Sequence, residues 1–163
     1  MQAFRGRRII QTYTWEIPAP PDQVYPLLCP VREYEWIPGW SCDLVYSDSG
    51  VMEDNCIFKT SFPGEGEEVW VVTRYEPESH RFQVVRFIEG SRVVRVDVSL
   101  SSADGVSTSL VWAQTITALN DAGNEYVDTF SEEAHQARMS LLGTMLAHFC
   151  RTGKMLGPGS AST

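Results

Sequence analysis

The first part of the chain alternates in a way that is typical of a β-strand. In residues 7–17, one side of the alternation comprises Ile9, Gln11, Tyr13, Trp15 and Ile17. A period of two residues, carried by β-branched and aromatic side chains, suits a pleated and half-buried surface. The first predicted element is therefore a strand.

Two short helices are predicted directly after this strand. Pro20 and Pro21 can open a helix, and Asp22 lies where a carboxylate is favourable near a helix N-terminus. Pro30 ends this first helix, and residues 31–37 form a further helical turn before the next proline-glycine pair.

The middle of the chain consists of strand-like segments. β-branched and aromatic residues are frequent in segments 42–47, 56–62, 68–76, 81–90, 91–100 and 107–119. Consecutive strands with short connections pair in antiparallel fashion with their neighbours. These segments therefore predict an antiparallel meander of about six strands.

The last part of the chain changes to a helical period. After Phe130, a stripe at helical spacing contains Ala134, Ala137, Leu141, Met145 and His148, and Leu142 and Phe149 widen it. This pattern predicts one amphipathic helix of about twenty residues. Gly153 is its predicted end, and residues 154–163 form a predicted flexible tail.

The order of these elements predicts an α+β fold. A curved antiparallel sheet of about seven strands, wrapped around a long C-terminal helix, buries the apolar side of both. The two short helices close one end of the sheet, and a cavity remains between sheet and helix. Cavities of this kind are common ligand sites. Residues 1–153 suit a single domain of this type.

Charge and cysteine content exclude several classes of function. The 13 lysines and arginines against 21 acidic residues give a formal net charge of -8. This balance argues against a surface for nucleic acid or anionic membranes. The four cysteines form no CxxC pair, so we expect neither a metal site nor a disulfide framework. We also expect no cofactor.

The distribution of apolar residues bears on location. No segment approaches the ~18 apolar residues that are needed to cross a bilayer, and no apolar signal segment is found near residue 1. We therefore predict a cytoplasmic protein without membrane insertion, either a monomer or a homodimer.

Four segments carry a resemblance to a known family. These are PPDQVYPLLCPVREYEWIPGW, GVMEDNCIF, VWVVTRYEPE and WAQTITAL. In these segments and in element order, roughly residues 8 to 152 resemble the START-like (SRPBCC) superfamily. That superfamily includes polyketide cyclases and dehydratases, plant lipid-binding allergens and steroid-transfer domains. The chain is most similar to bacterial members of the polyketide cyclase/dehydrase and lipid-transport group.

This resemblance implies the helix-grip (Bet v 1-like) fold and a pocket for a small hydrophobic molecule, whether lipid-like, polyketide-like or aromatic. It implies no catalytic residues, because members of this superfamily share a pocket while their chemistry diverges. The predicted pocket wall comprises Leu28, Glu33, Trp36, Trp40, Phe58, Trp70, Val72, Arg74, Trp112, Gln114, Leu141 and Met145.

Glu33 is the candidate carboxylate of this wall. Helical spacing places it beside Trp36, with Trp40 beyond, whereas Glu35 does not share its face. A carboxyl against indole rings has a raised pKa and can act as an acid or base. Alternatively, Glu33 caps backbone groups or pairs with an arginine while both tryptophans fill the core.

Two strand arginines have an orientation that depends on register. If Trp70 points inward, strict alternation turns Arg74 inward as well. Arg86 shares a face with Phe82 and Val84. An inward arginine could meet Glu33, or a carboxylate or enolate of the ligand. The opposite register leaves both arginines in solvent.

The sixth and seventh strands are expected to bury one face. Val94, Val96, Val98 and Leu100 form this face on the sixth strand. The turn around Asp104-Gly105 can be read as a two-residue or a three-residue loop. We favour the three-residue loop, since it buries Leu110, Trp112, Gln114 and Ile116. Gln114 is then either a ligand contact or one partner of a hydrogen bond in the core.

The remaining candidates for a functional role are the three histidines and an acidic run near the start of the fourth strand-like segment. His80 is predicted to lie in a solvated turn, His135 falls off the helical stripe, and His148 lies on its edge, where it could face the cavity. The run GEGEE, residues 64–68, lacks the context of a phosphate-binding loop and is interpreted as a solvated turn.

Three functions are compatible with this pattern. The favoured one is a binding protein for a small apolar molecule. The second is an enzyme of the cyclase or dehydratase type, in which Glu33 or His148 moves a proton while Arg74 stabilises an enolate. The third is a partner-binding protein whose cavity is filled by tryptophan side chains.

Overall fold

Seven strands form one antiparallel sheet in the computed structural model, which describes residues 3–157. Their bounds are Arg8–Ile17 (β1), Asp43–Tyr46 (β2), Ile57–Phe62 (β3), Gly66–Glu76 (β4), Arg81–Ile88 (β5), Arg92–Ser101 (β6) and Thr108–Ala118 (β7). The strand order is β1-β7-β6-β5-β4-β3-β2, so the first strand pairs with the last one and the others follow as a meander. The predicted fold class is confirmed.

Short helical segments follow β1, as predicted. Helix α1 (Pro21–Val24) begins with a proline in its first turn and continues as a 3-10 helix, Tyr25–Leu28. A second 3-10 turn spans Glu33–Glu35. The buried side chains of this region belong to the same core cluster as those of the sheet. A further 3-10 turn, Pro77–Ser79, joins β4 to β5.

One helix near the C-terminal end was not predicted. Helix α2 (Asp121–Asp128) precedes the long helix α3 (Glu132–Thr152). The side-chain oxygen of Asn120 accepts a hydrogen bond from the Gly123 backbone N–H at 2.9 Å, which caps α2. Gly123 lies so close to the Ser91 carbonyl oxygen that an added Cβ would be 2.1 Å from it. This glycine therefore allows α2 to approach the turn between β5 and β6.

The end of α3 agrees with the prediction. Gly153 adopts a left-handed conformation, with φ of 67°, and terminates the helix. Leu156, within the predicted tail, is buried. The rest of that tail, residues 158–163, lies outside the described residues. Within residues 3–157, no helix combines the length and the apolar character that crossing a membrane requires.

The buried face of α3 is shifted from the predicted stripe. The residues that this helix buries are His135, Met139, Gly143, Leu146 and Ala147. Ala134 and Ala137 are exposed, and His135, which was expected off the stripe, is buried, so the prediction was wrong for these three positions. The shift has a steric cause, because a Cβ on Gly143 would lie only 2.8 Å from the Trp15 ring of β1. The helix therefore approaches β1 most closely at Gly143, a glycine that the apolar stripe did not include.

The prediction for β6 and β7 was correct for the buried face and wrong for the loop. Val94, Val96 and Val98 are buried, and Leu100 pairs with Leu110. The connection spans residues 102–107, longer than either loop considered, because Asp104 accepts backbone hydrogen bonds from residues 106 and 107. The extra length preserves the alternation, so the same residues face the core.

A β-bulge in β4 overturns the predicted orientation of Arg74. Val72 pairs with Val84 of β5, but Arg74 pairs with the adjacent Gln83. The extra residue breaks the alternation that starts at Trp70 and turns Arg74 away from the core. The Arg74 side chain is 58% exposed and lies 3.6 Å from Glu76. The inward orientation predicted for Arg74 was therefore wrong.

Candidate functional site

A cavity of about 440 Å³ lies between the concave face of the sheet and α3. Most of the predicted wall lines it, namely Leu28, Glu33, Trp36, Trp40, Phe58, Trp70, Trp112, Gln114, Leu141 and Met145. Val72 does not line the cavity and is fully buried in the core beside Cys56, whose carbonyl oxygen accepts its backbone hydrogen bond. Arg74 is absent from the wall for the reason given above.

Two tryptophans of the segment after α1 form the roof of the cavity. The Trp36 indole N–H donates to the carbonyl oxygen of Leu27 at 2.8 Å, and the Trp40 indole N–H donates to that of Pro30, also at 2.8 Å. These bonds satisfy the polar atom of each ring with backbone. Both tryptophans therefore present apolar ring surface to the cavity and hold the roof in place.

Glu33 brings a carboxyl group without a partner to this roof. It lines the cavity and is partly buried, and no group of residues 3–157 donates a hydrogen bond to its carboxyl or forms an ion pair with it. The neighbouring Arg32 pairs with Glu35 instead. Desolvation raises the pKa of Glu33 to about 8. At neutral pH this carboxyl is therefore mostly protonated.

Five charged residues form what we call the charged cluster: Glu65, Glu68, Arg86, Arg92 and Arg138. Arg86 donates to the fully buried Glu68 carboxylate at 3.0 Å. The Glu65 carboxylate lies 3.6 Å from Arg92 and 3.5 Å from Arg138. Of the five, Glu65, Arg86 and Arg138 line the cavity.

Aromatic rings support two of these arginines. The Arg86 guanidinium lies 5.1 Å from the centre of the Trp70 ring, and that of Arg92 lies 3.6 Å from the centre of the Tyr126 ring. Such cation–π contacts favour a guanidinium that has lost much of its water. Arg86, and not Arg74, is the strand arginine that faces the cavity.

The interpretation of residues 64–68 as a solvated turn was correct for the turn at Gly64 and Glu65 and wrong for Glu68, which is buried. Strand β4 begins within this run, and the alternation that buries Trp70 and Val72 also buries Glu68. The same signal was present on β6, where Arg92 precedes the buried Val94 by two residues. If the alternation of period two had been followed through the charged residues as well, it would have predicted that Glu68 and Arg92 are buried.

Burial and neighbouring charges shift the pKa values of the two cluster carboxyls, Glu68 and Glu65, in opposite directions. Burial raises the pKa of Glu68, although Arg86 opposes this. Burial would also raise the pKa of Glu65. Hydrogen bonding with Glu68 and the charges of the three cluster arginines outweigh it, so that the pKa of Glu65 is lowered overall. Glu65 is thus the carboxyl that stays ionised most readily.

A buried histidine lies next to the cluster. The His135 Nδ1 atom is 2.6 Å from the Tyr13 hydroxyl oxygen, and His135 lines the cavity. Burial, together with the charges of Arg138 and Arg86, lowers the pKa of His135 to about 4. This histidine is therefore neutral at physiological pH.

The other two histidines lie away from the cavity. His148, expected at the cavity edge, does not line it, so that expectation was wrong. His80 is only partly exposed, and its Nε2 atom is 2.7 Å from the Asp22 carboxylate.

Gln114 shows the core hydrogen bond that was one of its two predicted roles. Its amide N–H donates to the Gln11 side-chain oxygen at 3.0 Å, and its own oxygen accepts from the Trp112 indole N–H at 3.2 Å. Gln114 is 2% exposed. Its hydrogen-bonding groups are therefore engaged within the wall of the cavity.

Metal-ligating residues are not clustered in the described part of the chain. Between residues 3 and 157, no three His, Cys, Asp or Glu side chains lie close enough together to hold a metal ion. The cysteines at 29, 42, 56 and 150 all carry free thiols.

Comparison with solved structures gives likenesses over nearly the whole chain. DynU16, a protein of the dynemicin biosynthetic locus, is 19% identical with a TM-score of 0.58, over 91% of this chain and 48% of DynU16. Ara h 8.0201 is 15% identical with a TM-score of 0.63, over 91% of this chain and 99% of Ara h 8.0201. Norcoclaurine synthase from Thalictrum flavum, in complex with dopamine and hydroxybenzaldehyde, is 12% identical with a TM-score of 0.64. The match covers 91% of this chain and 95% of the synthase.

These likenesses concern the fold. The chain spans about half the length of DynU16 and nearly all of the other two proteins. No family model and no curated protein matches the sequence. The seven-stranded sheet, the short helices after β1 and the long C-terminal helix show, together with these structures, that the chain has the helix-grip (Bet v 1-like) fold.

Proposed function

We propose that the protein binds a small, largely apolar molecule in the cavity between sheet and α3. The observation that carries this proposal is a cavity of about 440 Å³ with an aromatic and aliphatic wall. Volumes of 300–1,000 Å³ and predominantly apolar linings are usual for small-molecule sites. Filling such a cavity with an apolar ligand removes apolar surface from water on both sides, which is favourable.

The arrangement of the rings favours a ligand with a planar part. The Phe58 and Trp70 rings stack at 5.2 Å with an interplanar angle of 17°, and the Trp15 and Trp112 rings lie 6.1 Å apart. Rigid rings give much contact area at little cost in rotamer entropy. The solved norcoclaurine synthase complex, which holds dopamine and hydroxybenzaldehyde, is consistent with small aromatic ligands on this fold.

A fluorescent probe tests this function. N-phenyl-1-naphthylamine is neutral and apolar, and we expect it to bind the wild-type protein saturably at one site. Leu142 lines the cavity, so the larger side chain of Leu142→Trp should occupy ligand space and weaken binding by about tenfold or more. Titrations of probe fluorescence measure both dissociation constants.

The matched control for this titration is Leu119→Trp, which adds the same side chain at an exposed position outside the cavity. It should bind the probe like the wild type. Equal binding by all three proteins would place the probe outside the cavity, and the proposal would then be wrong.

A second candidate function is proton transfer on the bound molecule. The Glu33 carboxyl supports it, because it has no partner in the described structure, lines the cavity and has a pKa of about 8. As a carboxylate, it could take a proton from the carbon next to a ketone, leaving an enolate, and return a proton to that carbon. Arg74 and His148 take no part, since neither lines the cavity.

Deuterium exchange tests this second candidate. With 1-tetralone in D₂O, the wild type should exchange the protons next to the carbonyl faster than buffer alone, with a rate that rises with pH through about 8. Glu33→Gln should return the rate to that of buffer. Glu35→Gln, which changes an exposed carboxyl of the same 3-10 turn, should not. Exchange that survives in Glu33→Gln would exclude this role.

A further inference from the structure

We propose that the ligand is an apolar acid, and that its anionic group binds the Arg138 guanidinium at the cavity wall. This inference rests on the proposed binding function and adds the chemical class of the ligand. It starts from the charged cluster, which the binding function by itself does not require.

The charges of the cluster do not balance. Among residues 3–157, its ion pairs join three arginines to two carboxylates, Glu65 and Glu68. The cluster therefore has a positive excess, in a chain whose formal net charge is -8. His135, which lies beside the cluster, is neutral and does not change this balance. A local positive excess on a partly desolvated wall attracts an anion more strongly than the same charge in open solvent does.

Two of the three arginines are already engaged. The Arg86 side chain is 15% exposed and donates to Glu68 at 3.0 Å. The Arg92 side chain is 6% exposed, lies over the Tyr126 ring and donates to the Ser91 hydroxyl at 3.1 Å. Both guanidinium groups are thus held in place by neighbours within the protein, and the Arg86 Nε–H, which has no hydrogen-bond partner among residues 3–157, is itself buried.

Arg138 differs from both. Its side chain is 58% exposed, and within the described residues its ion pair is a 3.5 Å contact to Glu65, which Arg92 shares. A guanidinium has five N–H donors in a planar fork, so most of those of Arg138 remain available to a carboxylate. Arg138 is therefore the cation that an incoming anion can reach.

The position of Arg138 on α3 joins this cation to the apolar wall. Leu142 and Met145 follow it at spacings of four and seven, so all three lie along one side of the helix, and all three line the cavity. An apolar acid can place its body between sheet and helix while its anionic group stays at Arg138. An apolar amine would meet the same positive excess and be disfavoured.

A matched pair of probes tests this inference. 8-Anilinonaphthalene-1-sulfonate has the ring skeleton of N-phenyl-1-naphthylamine with one added sulfonate, so the pair differs in a single anionic group. We expect Arg138→Gln to weaken binding of the sulfonate about tenfold and to change binding of the neutral probe less than about twofold. The preference of the wild type for the sulfonate should also fall as salt is raised.

The control is Arg95→Gln, which removes an exposed arginine that pairs with Asp97 and does not line the cavity. It should leave both affinities unchanged. If Arg138→Gln leaves the affinity for the sulfonate unchanged, or weakens both probes equally, the anion site is wrong while cavity binding still holds. If Leu142→Trp weakens the binding of neither probe, the binding function itself fails.

Discussion

Replacing Arg86 with methionine is expected to lower the free energy of unfolding by about 3–5 kcal/mol at pH 7. Arg86 donates to Glu68, whose side chain is 0% exposed, and methionine leaves that carboxylate without its cation. A buried charge that loses its partner keeps its desolvation cost without the compensating attraction. Urea denaturation of both proteins measures the difference.

The pH dependence of this cost has a definite sign. Burial already raises the pKa of Glu68, and removal of Arg86 raises it further. The variant can then avoid a buried charge by protonating Glu68 at low pH, but not at high pH. The cost of Arg86→Met should therefore be larger at pH 8 than at pH 5.

Two further variants separate the ion pair from other effects. Arg95→Met removes an exposed arginine whose pairing with Asp97 is in solvent, and it should cost less than about 1 kcal/mol. The double variant Arg86→Met/Glu68→Leu replaces the whole pair with apolar groups and should recover much of the loss. If Arg86→Met is no less stable than Arg95→Met, the buried Arg86–Glu68 pair does not stabilise the fold as proposed.

The second large effect concerns Glu33. Its pKa is raised from 4.5 to about 8 in the folded protein. Between these values the folded state binds more protons than the unfolded state, so the stability of the wild type falls as pH rises through this window. Glu33→Gln removes this loss, and we expect it to be more stable than the wild type at pH 9 by up to about 5 kcal/mol, the free-energy equivalent of the full pKa change. At pH 4 the two proteins should be equally stable.

Denaturation midpoints at a series of pH values measure this difference. Glu35→Gln is the matched control, because Glu35 is exposed and pairs with Arg32. Its stability should follow the wild type across the whole range. A wild type and a Glu33→Gln variant with parallel pH profiles would show that Glu33 has an ordinary pKa, and proton transfer by Glu33 would lose its basis.

Several parts of the site were visible in the sequence because they depend on local periodicity. Alternation placed Trp70, Trp112 and Gln114 on the concave face, and the face stayed correct even though the loop between β6 and β7 is longer than expected. The seven residues between the paired Ser101 and Ser109 are four more than in the three-residue loop, and an even difference preserves which residues face inward. Helical spacing likewise placed Glu33 beside Trp36 on the roof.

Other parts were decided by contacts between distant segments. The bulge that turns Arg74 outward appears only when β4 is paired with β5. Tyr13 and His135, whose side chains meet at 2.6 Å, are 122 positions apart. The face of α3 depends on the space that Gly143 leaves for the Trp15 ring. No local pattern contains these distances.

By itself, the sequence determined the order of the strands, the two short helices after β1 and the long helix, and the aromatic character of the cavity, since each follows from periodicity and residue type; it did not reveal α2. Only the tertiary structure decided which charged residues of the strands are buried. Glu68 and Arg86 are buried as a pair, whereas Arg74 is in solvent. The physical reason is that a charged side chain is buried only where a partner compensates for its desolvation, and that partner comes from another strand or helix.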